Sequence, residues 1–263
     1  MKLAPRPKVG GIKLSSVTFG SMRLQNAGDA SAAERVLVAA REIGVRTFHC
    51  SSEYDSYDLF SGLWRQRSGG LADAQIIAKI GEPHFGDLEF SSHRFRHKVE
   101  RYLQTLGLER LDVVQWLLRY DIKQPSARLD ILRRARGEIN AVVRTLRDEG
   151  KIGAFIAFPY DVGVADAALD LDLCDGLALY LNAVERDMEP QAQRCGALGK
   201  AVIAIRPFAA GRVFAETALT PAGALEQVLA RREVATTIVS VSTTEHLAVL
   251  APFVAEVASA VAA

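Results

Sequence analysis

From Val17 onward the chain repeats one unit, a short apolar run followed by a stretch with apolar residues at helical spacing. This recurrence restricts the fold more than any other feature, because runs that are apolar at successive positions suit parallel strands buried on both faces. Val17-Thr-Phe19 leads to Ser31–Ile43, where Val36, Leu37, Ala40 and Ile43 share a helix face and Ser31 stands as N-cap. Arg46–His49 leads to a helix near Asp58–Arg67, Gln75–Lys79 to one over Ser92–Leu106, and Asp112–Leu117 to a long charged helix within Leu129–Glu149. Gly150-Lys-Ile-Gly153 turns the chain into Ala154–Phe158 and a helix near Val162–Leu171, and Gly176–Leu181 precedes Pro190–Leu198. Ala201–Arg206 with a helix near Ala222–Arg232, then Thr237–Val241 with a closing helix from Thr244, complete the series. Eight such pairs predict an α/β fold of the (β/α)8 TIM-barrel type. An open doubly wound sheet would require a G-x-G-x-x-G turn after an early strand, and Phe19-Gly-Ser-Met-Arg23 does not supply it. With no linker or low-complexity tract, residues 1–263 read as one domain, preceded by a small hairpin over Lys8–Leu14 around Gly10-Gly11.

In a barrel of this kind the chemistry gathers at the C-terminal ends of the strands and in the loops that follow. The rim then comprises Gly20 to Arg23, His49 to Tyr54, Lys79, Leu117 to Arg119, Phe158 to Tyr160, Asn182 to Arg186, Arg206 to Gly211 and Ser240 to Thr244. Charge points to a small molecule as the partner: 32 basic and 31 acidic residues are interspersed, leaving no footprint for nucleic acid or an anionic membrane. The start of the chain lacks the apolar run of a secretory signal, and the apolar stretch Leu247–Ala263, broken by Pro252 and Glu256, reads as a packed helix and not a membrane span. Cys50, Cys174 and Cys195 are odd in number and widely spaced, as expected of reduced thiols in a cytoplasmic protein, and Cys50 reads as a buried inert thiol. His93 and His97 share a helix face without the glutamate of a metalloprotease motif, so no metal is expected, and Trp116 reads as a packing residue. The sequence carries no signal of oligomeric state.

Several rim segments resemble the aldo-keto reductase superfamily. Thr18-Phe-Gly-Ser-Met-Arg-Leu24 is similar to its first-strand signature, Phe48 to Tyr54 to its Phe-Asp-Thr-Ala-x-x-Tyr motif, and Ile77-Ala-Lys79 to its lysine strand. Leu106-Gly-Leu-Glu-Arg-Leu-Asp-Val-Val114, Gly150-Lys-Ile152, Asn182-Ala-Val-Glu-Arg186, Arg206-Pro-Phe-Ala-Ala-Gly211 and Val241-Ser-Thr-Thr-Glu-His-Leu247 follow in the family's order, so that the resemblance covers nearly the whole chain. It implies NADPH-dependent carbonyl reduction, with a tyrosine as proton donor, a lysine paired to an aspartate that lowers the tyrosine pKa, and a histidine that orients the carbonyl. Tyr54 and Lys79 match the tyrosine and the lysine. His49 stands at the aspartate position, which leaves Lys79 without its strand carboxylate beside an imidazole able to carry charge, and Leu117 stands at the histidine position.

The cofactor positions also depart from the family. Phe158-Pro159 replaces a Ser-Asn pair, Ala178 a glutamine, and Ile205 the aromatic residue that stacks on nicotinamide. By resemblance, NADP would meet Gly20, Met22, Asn182, Arg206, Gly211, Ser242 and His246, of which Arg206 and Gly211 offer a guanidinium and open backbone to phosphate or carboxylate. The expectation is a divergent member with a small-molecule site around Tyr54, Lys79 and His49 and with weak or lost reductase activity. A genuine NAD(P)H-dependent oxidoreductase with non-standard cofactor contacts is the main alternative. A cofactor-independent isomerase or lyase using the same three residues, and a non-catalytic binding protein, are the others.

Overall fold

The computed structural model describes residues 5–66, 73–119 and 124–254. Its eight parallel strands close into a barrel in sequence order, β1 pairing with both β2 and β8. The strands are β1 (Val17–Gly20), β2 (Thr47–Ser51), β3 (Gln75–Gly81), β4 (Leu111–Leu117), β5 (Ile152–Phe158), β6 (Gly176–Tyr180), β7 (Ala201–Ile205) and β8 (Val234–Ser240). The helices that return the chain are α1 (Ala30–Glu42), α2 (Tyr57–Gln66), α3 (Ser92–Leu106), α4 (Pro125–Asp148), α5 (Val162–Leu169), α6 (Glu189–Ala197), α7 (Arg212–Glu216), α8 (Pro221–Leu229) and α9 (Thr244–Val254). The end of the expected second helix at Arg67, and the apolar C-terminal run beyond Val254 with Glu256, lie outside the described residues. No helix among those described is long and apolar enough to cross a membrane.

The two-residue period of a strand sorts its side chains between two layers. Phe48, Cys50, Ala78, Trp116, Phe155 and Leu177 point outward into the layer shared with the helices, and Trp116 is fully packed there, stacked on Phe155 with ring centroids 5.7 Å apart. Ile77, Val113, Leu117, Ile156, Phe158, Ala178 and Ile203 point into the barrel. By the same alternation His49, Lys79 and Gln115 face inward, and the register aligns His49 with Ile77 and Lys79 with Gln115. The barrel floor is closed by the expected hairpin, an isolated antiparallel bridge between Val9 and Ile12 whose Val9 joins the interior cluster.

Local chemistry sets the element ends. α3 starts at its Ser91 cap, whose hydroxyl accepts from Arg94 N, and stops at Gly107 in the left-handed conformation, φ 66°. α1 is capped by Asp29, which accepts from Ala32 N, two residues before the expected Ser31. β2 continues past His49 through Cys50 and Ser51, because their backbone pairs with Ala78 and Lys79. At β6 the barrel wall admits only glycine: a Cβ on Gly176 would collide with the Ala201 carbonyl.

Candidate active site at the barrel rim

The C-terminal ends of the strands surround a cavity of about 460 Å³ lined by Tyr54, Lys79, His49, Gln115, Arg119 and Arg206 among others. His49 and Lys79 reach it as the inward residues of adjacent strands. Tyr54 arrives from the turn after β2, whose Tyr54 N donates to Ser51 O and whose Tyr57 N donates to Tyr54 O. Tyr102 of α3 fixes this turn to the neighbouring strand: its hydroxyl accepts from Ser52 N at 2.5 Å and donates to the Lys79 carbonyl at 2.9 Å. The tyrosine, the lysine and the imidazole are thereby gathered by the backbone of one turn and two strands.

The ammonium of Lys79 lies over the face of the Tyr54 ring, 4.3 Å from its centroid, a cation–π arrangement. Its carboxylate partner is Glu53, the residue before Tyr54, with Oε2 3.5 Å from Nζ. Lys79 thus has an anionic neighbour after all, supplied by the loop and not by the strand. The same oxygen lies 2.5 Å from Arg119 Nη2, and Glu53 Oε1 is 3.2 Å from His84 Nε2. Gly81 makes room for this carboxylate, since a Cβ there would come within 2.9 Å of Oε1. Burial, opposed by Glu53 and aided by the Arg119 charge, pulls the Lys79 pKa down to about 8.

His49 is neutral. Burial chiefly, then the Lys79 ammonium, depress its pKa to about 3, and the neighbouring Gln115 amide only partly opposes this. The sequence left the charge of this imidazole open, and desolvation decides it for the neutral form. Neither His49 Nε2 nor the Gln115 side-chain oxygen completes a hydrogen bond with a described residue, so the cavity floor holds two buried polar atoms in want of a partner. The Tyr54 hydroxyl is pushed above its usual range by burial, then by Cys50 and Glu53, with Arg119 pulling the other way. Cys50 itself is buried, and burial raises its thiol pKa far above the ordinary value.

A second wall is aromatic. Tyr160 takes a left-handed backbone conformation, φ 64°, and stacks at 4.3 Å on Phe158, which meets Tyr180 edge-on at 5.4 Å. Arginines close both ends of the stack, Arg128 over Tyr160 at 5.0 Å and Arg206 over Tyr180 at 4.8 Å. Arg128, fully buried, ties the loop after β5 to the end of β4 by donating to Pro159 O and the Asp161 carboxylate on one side and to Leu118 O on the other. After β7 the backbone is left-handed at Arg206, Ala209 and Ala210 and at Gly211, φ 96°. Within this turn Ala209 N donates to Arg206 O, Gly211 N to Phe208 O and Arg212 N to Ala209 O, so three of its amides are engaged locally.

Of the residues named from sequence, Tyr54, Lys79, His49, Met22 and Arg206 line the cavity, and Gly20, Asn182, Gly211, Ser242 and His246 do not. Gly20 sits in the barrel wall against Ser240. Asn182 braces its own loop, accepting from Val184 N and Glu185 N and donating to Glu185 Oε2 and Arg206 O. Ser242 is half-buried and His246 exposed. Sequence reasoning did not single out Gln115 or Tyr180, and it gave Glu53, Arg119 and Tyr160 only as rim positions. For Arg128 a signal was present: it precedes Ile131 and Leu132 by helical spacing, which puts it on the buried face of α4.

The profile of the Aldo/keto reductase family matches residues 16–224. No curated protein matches the chain in a sequence search. Among solved structures the fold is shared with PA4992 of Pseudomonas aeruginosa, described as an aldo-keto reductase, at 24% identity, covering 96% of this chain and 93% of that one with a TM-score of 0.75. It is shared too with aldo-keto reductase AKR11C1 from Bacillus halodurans in its holo form, at 18% identity, 95% and 91% coverage and TM-score 0.76. The Klebsiella pneumoniae aldo/keto reductase in complex with NADP and acetate aligns at 18% identity, 95% and 90% coverage and TM-score 0.71. Such identities establish the fold alone. The profile match, spanning the segments that carry Tyr54 and Lys79, goes further, and on it the chain belongs to the Aldo/keto reductase family.

Proposed function

We propose that this chain is a divergent aldo-keto reductase family protein that binds a small molecule in the rim cavity around Tyr54, Lys79 and His49, with standard NADPH-dependent carbonyl reduction weak or lost. The aromatic wall is the observation that carries this reading. Family resemblance would place the nicotinamide carboxamide against Phe158 and Ala178 and the ring against Ile205, and none of these side chains donates or accepts a hydrogen bond. Phe158 is moreover committed to its stack with Tyr160 and Tyr180. The turn after β7 supports the same view, because its amides at Ala209, Gly211 and Arg212 are engaged and Pro207 has none. These residues do not fit NADP(H), which bound relatives such as the Klebsiella enzyme hold, and no chemical step is assigned to it.

What the chain's own residues offer is proton chemistry on a bound ligand. Lys79, with its pKa near neutrality and Glu53 as counterion, is the group best matched to exchanging a proton near neutral pH. His49 stays neutral and supplies a hydrogen bond at a fixed point, and Tyr54 with its raised pKa acts as donor and not as base. A second reading, a genuine NAD(P)H-dependent oxidoreductase, is favoured by one observation: Glu53 rebuilds the lysine–carboxylate pair that the strand lacks.

Titration of the protein with NADPH and NADH, followed by cofactor fluorescence, separates the two. The expected result is no saturable binding at micromolar cofactor. Saturable binding, with His49 and Tyr54 resonances shifting as the nicotinamide enters, refutes the first reading and supports the second.

A further inference from the structure

All four charged side chains that line the rim cavity are basic: Arg23, Lys79, Arg119 and Arg206. No carboxylate appears among the described lining residues. Two of these cations, Lys79 and Arg119, share a single counterion, since both reach the same Glu53 oxygen. His84 draws on that carboxylate too. One negative charge set against two neighbouring cations leaves the inner end of the cavity with a surplus of positive charge, and low surrounding polarity strengthens its pull on an anion.

Arg119 has capacity to spare. Its Nη2 pairs with Glu53, and its Nε has no hydrogen-bond partner among the described residues. The Phe85 ring, 5.3 Å away, backs the guanidinium and limits its movement. A planar fork held in this way is suited to a carboxylate. The neighbouring floor supplies the complement for an uncharged polar group, the partnerless His49 Nε2 and Gln115 oxygen, on side chains that are respectively 4% and 1% exposed.

We propose that the rim cavity selects a small organic acid, its carboxylate held by Arg119 beside Lys79 and its polar remainder directed at His49 and Gln115. The inference rests on the cavity being a small-molecule site and is independent of whether NADPH binds. Arg119 is then the residue that determines specificity, choosing anionic ligands over neutral ones of equal shape.

Levulinate and methyl levulinate share a ketone and a chain and differ in charge, so calorimetric titration of both into the full chain isolates the contribution of the carboxylate. Levulinate is expected to bind at least about tenfold more tightly than the ester. Arg119→Gln should lower levulinate to the level of the ester and leave the ester unchanged, and added salt should weaken only the acid. Arg119→Lys, which keeps the charge without the fork, should fall between, and thermal unfolding of each variant checks that it is folded. Equal binding of acid and ester, no binding of the acid at millimolar concentration, or a preference that survives in Arg119→Gln overturns the proposal. Saturable NADPH binding together with an intact acid preference would defeat the preceding functional reading and leave this one standing, whereas an absent preference in a protein that ignores NADPH does the reverse.

Discussion

Replacing His49 by asparagine should make the protein less sensitive to acid. The imidazole is neutral in the folded state because its pKa falls from 6.5 to about 3, through burial first and the Lys79 charge second. In the unfolded chain it regains the ordinary value, so between these two limits the unfolded state binds more protons than the folded one. Stability from this group is therefore complete above the unfolded pKa and declines as pH falls toward the folded one. Each unit of difference corresponds to about 1.4 kcal/mol. Lowering the pH from ~7.5 to ~5 protonates the unfolded imidazole almost fully and the folded one hardly at all, a loss of about 2 kcal/mol. That is a large fraction of the ~5–15 kcal/mol by which a domain is ordinarily stable. Lys79, with a pKa of about 8, is mostly charged at the upper limit of this window and fully charged at the lower, and groups common to both proteins cancel in the comparison. Urea unfolding of the wild type and His49→Asn at the two pH values measures the difference directly. The wild type should lose about 2 kcal/mol more than the variant on acidification. Equal losses in the two proteins would refute the reasoning, since they would mean that the imidazole titrates in the folded state much as it does in water.

Glu53→Gln removes the carboxylate that favours the charged form of Lys79, so the lysine pKa should drop below about 8; reductive methylation with carbon-13 followed by NMR titration reads it, and an unchanged or higher value would show that the pair has no electrostatic weight. Gly176→Ala should be among the most damaging single-methyl additions, because the new Cβ meets the Ala201 backbone and not a movable side chain; a loss of at least about 2 kcal/mol in denaturant unfolding is expected, and a neutral result would contradict the close packing of β6 on β7.

The barrel was legible because each strand is short, apolar at successive positions and followed by a helix whose caps are written in the chain, as Ser91 and Gly107 show for Ser92–Leu106. The short helix Arg212–Glu216 was missed, since left-handed turns at Ala209 and Ala210 carry none of the usual glycine signal. At the site, Tyr54, Lys79 and His49 could be placed together from strand ends alone. Glu53 and Arg119 could not be paired from sequence, because their meeting depends on how two loops fold over the rim, and no period in the chain encodes a contact between loops. His49 shows a further limit: its identity suggested a titrating group, and only its depth in the barrel decides that it stays neutral.

Glu53 brings the counterion of Lys79 from the loop side of the fold. A carboxylate rooted in a strand shares the fate of the barrel, and altering it risks the scaffold. One carried on a turn lies outside the strand ladder, held there by the Tyr102 hydroxyl and by the turn's own hydrogen bonds to Ser51. The amine and its counterion thus sit on separate elements, one on a barrel strand and the other on the turn that also carries Tyr54.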